Sequence, residues 1–469
     1  MKKFQQFIFC ISAVALASCG NNTTTATDTS KDSATLTNSE VTNLVTEAYV
    51  QTFPIVENYK AIYFYAVLKQ SPKYMPFNTV KNEAVLYTPA DKAVVRANND
   101  TYYSTAILDL RAEPVIFQVP EEKSRYYTFQ LIGMTTDNFG YIGTRATGTK
   151  AGIYAITSPN FTGSLPAGVV QIKSPSDFVT VAGRTAVSSP EDGLKAIALQ
   201  KKYKVGKMSD FYPDFKPKAV QEINWPAFNP ADDNVADTFF SRFNLLAQYN
   251  KFSEKEQAII DNYKQIGLVP GAPYTFSKDH PEYKDAIEEG FKIGQARVDS
   301  LSKNIGKKVN GWNMSPLMND YFGDDYLLRA AWARKGIYLN SPVEAYYPAT
   351  TIDGDGELLD GNNNYAITFP ADALPPANYF WSLTMYDGIT GLMVDNDLKR
   401  YSISDRTKGI VYNKDKSLTL YFGYAQPKEG KSNWLPAPKG VFDLLMRLYG
   451  PKENVLNGTY AIPKVEKLK

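Results

Sequence analysis

Histidine and cysteine are the residues that this 469-residue sequence has least of. It contains one histidine, His280, and two cysteines, Cys10 and Cys19. A zinc site with several histidine ligands is therefore excluded, and so is a histidine-containing catalytic triad unless His280 is its base. Because His280 directly precedes Pro281 in a segment that leads into a predicted helix, we expect it at the surface or at a helix cap.

The chain also lacks a large excess of either positive or negative charge. The chain has 51 basic and 49 acidic side chains. Removal of a signal at residues 1–18 takes away only Lys2 and Lys3, which leaves 49 of each sign. A neutral chain has no electrostatic basis for holding a polyanion, so we predict no nucleic-acid partner.

The N-terminus has the pattern of a bacterial lipoprotein signal. Two lysines precede a short apolar run at 7–16, and the Leu-Ala-Ser-Cys-Gly sequence that follows resembles a lipobox with Cys19 as its cysteine. The pattern predicts a signal peptide at 1–18, a lipid on Cys19 and a flexible, Thr-rich tether at 19–39. The membrane is then a partner through that lipid, at the outer membrane or the periplasmic face of the cell envelope. The alternative is a cytosolic protein with two buried thiols.

Length and hydrophobic periodicity predict several domains of mixed α and β structure. A chain of 469 residues exceeds what one hydrophobic core usually supports. Period-two segments occupy about residues 84–187 and return near the C-terminus, whereas the segment between them has helical spacing. We therefore predict a β-rich α+β domain at 40–190, an all-helical middle domain at 191–342, and an all-β sandwich or jelly roll at 343–469.

Two helices stand out in this pattern. Residues 41–67 have the spacing of a helix that is interrupted at Pro54. Between residues 281 and 305, apolar side chains recur at intervals of three and four, which predicts an amphipathic helix with one buried stripe.

Two long segments resemble known families. "VVRANNDTYYSTAILDLRAEPVIFQVP", with "RYYTFQLIGMTTDNFGYIGTRATGT", resembles domain-of-unknown-function family 1254. "DGELLDGNNNYAITFPADALPPANYFWSLTMYDG", with "NWLPAPKGVFDLLMRLYGPKENVLNGTY", resembles family 1214. The resemblance covers roughly 41–203 and 343–460, and it implies a coiled, split β-sheet in the first domain and a jelly roll in the last. It also implies hallmark positions without assigned roles: Asn99, Asp100, Thr101, Tyr103, Asp109, Arg125, Tyr126, Gly143, Arg145 and Gly148.

The Asn-Asn-Asp stretch of the first segment is the main candidate site. One interpretation is a turn whose side chains bond to their own backbone, since Asn98, Asn99 and Asp100 are turn-forming residues before a predicted strand. The other is the polar rim of a ligand pocket, in which arginine forks bind carboxylates, phosphates or sugar hydroxyls. The candidate pocket consists of Arg96, Asn98, Asn99, Asp100, Tyr102, Tyr103, Arg125, Asp137 and Arg145.

Aromatic residues of the C-terminal segment provide a second candidate. Strand alternation places Trp381 and Leu383 on one face, which predicts a core position for Trp381, and places Tyr386 on the other face. Trp434 follows Asn433 in a proline-rich loop, where we expect it to be exposed. Tyr386 and Trp434 are therefore candidate platforms for a ligand.

No metal site and no cofactor are predicted. The acidic segment at 353–361 has Leu358 where a helix-loop-helix calcium loop requires glycine, and Asn364 where that loop requires glutamate. A β-turn with solvated acids is the expected structure there. The "GTRATGT" segment is not followed by the Gly-Lys-Ser/Thr of a phosphate-binding loop.

Two functions remain open on the sequence, and whether the protein is an enzyme stays undecided. The first is a lipid-anchored envelope protein that binds a small molecule, a glycan or an envelope partner; the lipobox and the 32 tyrosines favour it. The alternative is a hydrolase-like envelope enzyme that uses Asp and Arg residues around Asn99 on a polar or carbohydrate substrate. This alternative requires Asp100, Arg125 and Arg145 to converge in one pocket.

Overall fold

The computed structural model describes residues 35–92, 94–232, 234–315 and 322–469. Cys19, the predicted signal peptide and most of the predicted tether lie outside the described residues. Residues 38–469 form one compact unit. None of the helices in the described ranges combines the length and the hydropathy that a bilayer span requires.

Two β-sheets form the N-terminal region. The first is antiparallel and contains β1 Lys81–Glu83, β2 Thr101–Asp109, β4 Tyr127–Ile132, β5 Asn138–Gly143 and β8 Phe178–Ala186, in the order β1-β2-β8-β4-β5. The second contains β3 Val115–Val119, β6 Gly152–Thr157, β7 Val169–Lys173 and β9 Lys204–Lys207, in the order β7-β6-β3-β9. Alternate apolar residues of the two sheets, among them Phe117, Phe129 and Ile156, form a core between them.

Two further sheets form the C-terminal region. One contains β10 Lys307–Val309, β11 Trp312–Met314, β12 Ala345–Tyr346, β13 Ala349–Thr350, β15 Ala377–Asp387, β16 Ser402–Ser404 and β19 Phe442–Pro451. The other contains β14 Tyr365–Phe369, β17 Leu418–Gly423, β18 Trp434–Pro436 and β20 Glu466–Lys467. Trp381, Leu383, Ile367 and Leu420 belong to the apolar core that the two sheets share, so the predicted core position of Trp381 is confirmed.

Helices connect and flank these sheets. They are α1 Asn38–Ile62, α2 Pro190–Gln200, α3 Met208–Phe211, α4 Ala236–Ala247, α5 Glu254–Asn262, α6 Phe276–Asp279, α7 Lys284–Asn304, α8 Tyr326–Gly336 and α9 Glu453–Leu456. Helix α1 packs against α4, α7 and α8. It approaches α7 closely because that helix has glycine at the crossing: a Cβ on Gly290 would lie 2.5 Å from the carbonyl oxygen of Thr42, and one on Gly294 would lie 2.8 Å from Cβ of Tyr49.

The mixed α+β architecture with a helical middle is confirmed, but two details of the prediction are wrong. Helix α1 is continuous through Pro54, because Phe53 and Ile55 are buried and tertiary packing outweighs the lost backbone hydrogen bond. The middle segment is not all-helical. Strand β9 joins the N-terminal β3, and β10 and β11 extend the C-terminal sheet.

Candidate functional site

The five-stranded N-terminal sheet buries two faces of different character. Phe129 and Val181 point into the apolar core on one face. The strand register pairs Arg184 of β8 with Tyr103 of β2 and with Thr128 of β4, which places these three side chains together on the opposite face. That face is therefore polar and still largely covered.

The segment at residues 337–347 covers the polar face. Gln130 Nε2 donates hydrogen bonds to the carbonyl oxygens of Tyr338 at 3.1 Å and Leu339 at 3.0 Å. Farther along, Tyr141 Oη lies 2.9 Å from Ser341 Oγ. Tyr338 has a φ of 66°, a left-handed conformation that is strained for an aromatic residue. The polar sheet face thus holds the crossing segment in a conformation that the segment would not adopt alone.

Arg184 lies at the centre of this face with only 9% of its surface exposed. Its Nη1 donates to Gln130 Oε1 at 2.8 Å and to Asn340 Oδ1 at 3.3 Å. Its guanidinium carbon lies 5.5 Å from the centre of the Tyr103 ring. No carboxylate of the described residues forms an ion pair with it. A buried cation without a counter-ion is costly, and this cost falls when an anion binds.

Tyr103 and Tyr347 lie close to Arg184, Tyr87 lies against Tyr103, and Tyr65 lies near both Tyr87 and Tyr338. We call these five half-buried tyrosines the tyrosine cleft. The rings of Tyr87 and Tyr103 have centres 6.1 Å apart, and Asn340 Nδ2 donates to Tyr347 Oη at 2.6 Å. Burial raises the pKa of Tyr87, Tyr338 and Tyr347 above the ordinary value, so these hydroxyls stay protonated at neutral pH. The Tyr338 hydroxyl donates its proton to Asn58 Oδ1 at 2.6 Å.

Two further cations, Lys335 and Arg96, lie near each other. Burial of the side chain, and then the nearby Arg96 guanidinium, lowers the pKa of Lys335. Arg96 itself forms an ion pair with Asp443, whose side chain is buried, at 2.5 Å. Because Asp443 balances Arg96, the cation without a carboxylate partner is Arg184, which favours an anionic group over a neutral or cationic one.

The predicted Asn-Asn-Asp turn is present and joins the N- and C-terminal sheets. Asn98 Oδ1 accepts the backbone N–H of Asp100 at 2.6 Å, and Asn98 Nδ2 donates to Tyr449 Oη at 3.0 Å. Asp100 Oδ2 accepts from Ser382 Oγ at 2.6 Å. Asn99 supports the cleft, because its Nδ2 donates to the backbone carbonyl of Tyr87 at 2.5 Å.

Four other members of the predicted pocket, Tyr102, Arg125, Arg145 and Asp137, have side-chain partners other than the Asp100 carboxylate. Tyr102 packs with Val187 and Ala196 in a small apolar cluster. Arg125 forms a bidentate pair with Asp192, and this hydrogen-bonded pairing holds the pKa of that carboxyl well below its usual range.

Arg145 and Asp137 have carboxylate or arginine partners of their own. Arg145 Nε donates to the buried Glu344 at 2.5 Å, and Tyr126 Oη donates to the same carboxylate at 2.6 Å. Asp137 pairs with Arg329 at 2.9 Å. The convergence of Asp100, Arg125 and Arg145 that an enzyme at this turn would require is therefore not observed.

The two predicted aromatic platforms are buried. Trp434 is only 8% exposed, and its Nε1 donates to the carbonyl of Gly423 at 3.0 Å. Tyr386 is fully buried, donates to the carbonyl of Ala97 at 2.5 Å and accepts from Arg447 Nη2 at 2.8 Å. The prediction was wrong for Tyr386 because the second face of β15 packs on the N-terminal region instead of facing solvent. It was wrong for Trp434 because this residue begins β18, which pairs with β17 in the C-terminal sheet.

Sequence reasoning missed Arg184 and the tyrosines at 65, 87, 338 and 347. A signal for Arg184 was present: it stands in the apolar strand "DFVTVAGRTAV", where a charge on a buried strand needs an explanation. The tyrosines come from segments far apart in sequence, so no local pattern indicates their meeting. Among the described residues, no three His, Cys, Asp or Glu side chains come together as metal ligands would.

Comparison with known proteins gives two family matches. Residues 77–207 match the model described as protein of unknown function (DUF1254), and residues 344–453 match the model described as protein of unknown function (DUF1214). Both resemblances found in the sequence are thus confirmed at these positions. No curated protein matches the chain.

Two solved structures are similar to this chain. The VPA0106 protein from Vibrio parahaemolyticus has 26% sequence identity and a TM-score of 0.72, with 92% of this chain and 100% of that chain covered. An uncharacterized protein from Burkholderia cenocepacia has 11% identity and a TM-score of 0.42, with 90% and 88% covered. The first similarity extends over the N-terminal, middle and C-terminal segments alike.

Proposed function

We propose that this chain, with its two matched domains, is a lipid-anchored cell-envelope protein whose tyrosine cleft binds a small molecule with an anionic group. The observation that carries the proposal is Arg184, a buried guanidinium with amide oxygens but no described carboxylate as partners. A carboxylate or phosphate on the ligand would supply the missing counter-ion. A charge-assisted hydrogen bond of this kind is about twice as strong as a neutral one.

The surroundings of Arg184 define the rest of the ligand. The faces of Tyr87 and Tyr103 offer apolar contact to a ring or a short chain. The hydroxyl of Tyr347, which burial keeps protonated and which accepts from Asn340, offers its own proton to a ligand oxygen. The proposed ligand class is therefore a small organic acid or phosphate ester with hydroxyl groups, which includes acidic sugars.

The envelope part of the proposal rests on the lipobox at Cys19 and the polar tether behind it. A lipid on that cysteine would hold the folded body beside a membrane while the tether lets it move. The finer fold assignments, a coiled split sheet and a C-terminal jelly roll, belong to the same proposal. The hydrolase alternative has lost its best site, because Arg125 and Arg145 bind carboxylates other than Asp100.

Calorimetry with matched probes tests the cleft. The probes are 4-hydroxyphenylacetate, phenyl phosphate and the neutral 4-hydroxyphenylacetamide, titrated into the chain without its signal. We expect the two anions to bind at least about tenfold more tightly than the amide, and Arg184→Gln to remove that preference. The same change at the exposed Arg334, which pairs with Asp299 on the surface, should have no effect. Equal binding of all three probes would refute the proposal.

A second experiment tests the anchor. Intact mass of the N-terminus should show cleavage before Cys19 and an added lipid, and Cys19→Ser should release the chain from the membrane fraction. An unmodified, uncleaved N-terminus in the cytosolic fraction would contradict the envelope assignment.

A further inference from the structure

Helix α2 packs on the N-terminal region through one side and exposes the other side to solvent. Its buried residues are Gly193, Ala196, Leu199 and Gln200. Gly193 allows a close approach to Tyr102, since a Cβ on this glycine would lie 2.4 Å from the tyrosine hydroxyl oxygen. The inner side of the helix is therefore fixed to the body, and the outer side is held in one orientation.

The exposed side of α2 combines apolar and basic side chains. Leu194 is 72% exposed. Ala198 and three lysines lie on the same side of the helix, because they are separated by three, four or seven residues, and a fourth lysine begins β9. We call this set the basic face, and it consists of Leu194, Lys195, Ala198, Lys201, Lys202 and Lys204.

The basic face concentrates positive charge in a chain that is nearly balanced as a whole. Residues 193–209 contain five lysines and no aspartate or glutamate, whereas the whole chain has 51 basic and 49 acidic side chains. The ion pairs that lysines form with carboxylates among the described residues lie elsewhere, at Lys60, Lys123, Lys255, Lys264, Lys292 and Lys399. The lysines of the basic face are therefore open to an anionic partner.

The two acids at the start of α2 have cations of their own. Asp192 forms a bidentate pair with Arg125. A hydrogen bond from the Ser189 hydroxyl, and more weakly the charge of Lys408, lower the pKa of Glu191. Neither acid therefore neutralises the lysines at the other end of the helix.

We propose that the basic face docks on a membrane surface of anionic phospholipid headgroups. All of its cations are lysines, which act as mobile point charges, whereas recognition of a fixed carboxylate or phosphate favours the planar fork of arginine. A fluid layer of headgroups requires no fixed geometry. The exposed Leu194 lies among the lysines, and an apolar side chain flanked by lysines is typical of segments that lie in the membrane interface.

The predicted anchor makes even a weak surface contact sufficient. Residues 20–37 separate Cys19 from the start of α1, and a random coil of this length would span roughly 25 Å on average. A lipid on Cys19 would thus keep the basic face at a high effective concentration beside one leaflet. The identity of the membrane rests on the proposed envelope location, whereas the attraction to anionic headgroups does not.

Sedimentation with vesicles tests the docking in the absence of the lipid. The chain without its signal, carrying Cys19→Ser, is mixed with vesicles of phosphatidylcholine alone or with about one third phosphatidylglycerol. We expect at least about tenfold tighter binding to the anionic vesicles, since each lysine near such a surface contributes about fivefold in affinity. Added salt should weaken this binding.

Three outcomes of this experiment would overturn the inference. Two of them are equal binding to both kinds of vesicle and binding to neither. The third is binding of soluble polyglutamate as tight as that of the anionic vesicles, because it would assign the basic face to an acidic protein.

Paired variants then locate the contact. Lys201→Glu combined with Lys202→Glu should weaken binding to the anionic vesicles by at least about tenfold. Lys307→Glu combined with Lys308→Glu, at two exposed neighbours on β10, changes the net charge equally and should leave binding within about twofold. Leu194→Ala should weaken binding several-fold, because it removes the apolar side chain from the interface. An equal loss in the two lysine pairs would show that net charge alone is responsible and would refute the assignment.

Arg184→Gln leaves the basic face intact and should not change vesicle binding. A tyrosine cleft that binds no anion and a basic face that binds no vesicle are therefore recognised as separate failures. The vesicle measurement uses a chain that cannot be lipidated, so its outcome is also independent of the test of the anchor.

Discussion

The two faces of the five-stranded N-terminal sheet are both covered, yet they differ in chemistry. Phe129 on one face packs 5.7 Å from the ring of Phe117 and 4.8 Å from that of Tyr203, measured between ring centres. On the other face, the neighbouring Thr128 has its hydroxyl fully buried without a partner among the described residues, and Arg184 has no carboxylate. The first face consists of closely packed apolar side chains. The second face contains buried polar groups that lack partners and therefore do not stabilise the fold.

The comparison shows where this fold has capacity for a ligand. An apolar face gains stability from every buried ring, so its residues serve the core. A polar face that is covered by a strained segment with Tyr338 at a φ of 66° is costly to form, and such costs concentrate at functional sites. The predictions below change residues on the two faces and compare the outcomes.

The largest expected effect is on the apolar face. Phe129→Ala should lower the free energy of unfolding by about 3–5 kcal/mol, because it removes a fully packed ring and leaves a cavity. Urea denaturation followed by tyrosine and tryptophan fluorescence measures this. A loss below about 1 kcal/mol would show that the two faces do not differ as proposed.

Two arginines provide the next contrast. Arg125→Ala should cost roughly 1–3 kcal/mol, because it leaves the partly buried Asp192 without its bidentate partner. Arg184→Met should change stability by less than about 1 kcal/mol, because the lost hydrogen bonds are offset by removing a buried charge that has no counter-ion. Urea denaturation of the two variants measures both changes in the free energy of unfolding. If Arg184→Met were the more damaging change, Arg184 would be a structural residue and not a ligand-binding one.

A smaller effect of opposite sign is expected beside Phe129. Thr128→Val keeps the shape of the side chain and removes a buried hydroxyl that has no described partner. We expect it to raise the free energy of unfolding by about 1 kcal/mol. Thr185→Val is the matched control and should be destabilising, since the Thr185 hydroxyl lies 3.0 Å from Tyr203 Oη. The same sign for both variants would contradict the assignment.

The smallest expected effect depends on pH and extends the comparison to the end of β8. Burial, and then repulsion from Asp109, raises the pKa of Asp177 to about 6. The folded state therefore holds this proton more tightly than the unfolded state, whose pKa is about 3.9, and stability falls as pH rises from about 4 to about 6. Asp177→Asn should thus have a higher Tm than the parent at pH 7.5 and nearly the same Tm at pH 4. A pH-independent difference would refute this.

Local sequence patterns predicted much of the fold. Period-two segments are the strands of both β-regions, and the three-and-four spacing before residue 305 is helix α7. His280 lies at the surface beside Glu282, as expected. The prediction that failed was that side chains on the strand face opposite the core are exposed to solvent. Tyr386 stands on the face opposite the core of β15, yet it is buried because another part of the chain covers that face.

The candidate site was predicted only in part. The turn at Asn98 follows from residue types close in sequence. Arg184 and Tyr347 meet through the pairing of distant segments, which one sequence does not reveal. The signal peptide, the tether and the lipid on Cys19 lie outside the described residues and stay predictions.

The sequence by itself determined most of the secondary structure, the two family matches and the absence of multi-histidine chemistry, because these depend on residue type and short-range spacing. The tertiary structure alone decided that Arg184 is buried without a carboxylate, and that Asp137 shares Arg329 with Glu256. Burial and counter-ions depend on which distant segments pack together, and that packing sets the energetic cost of each charge.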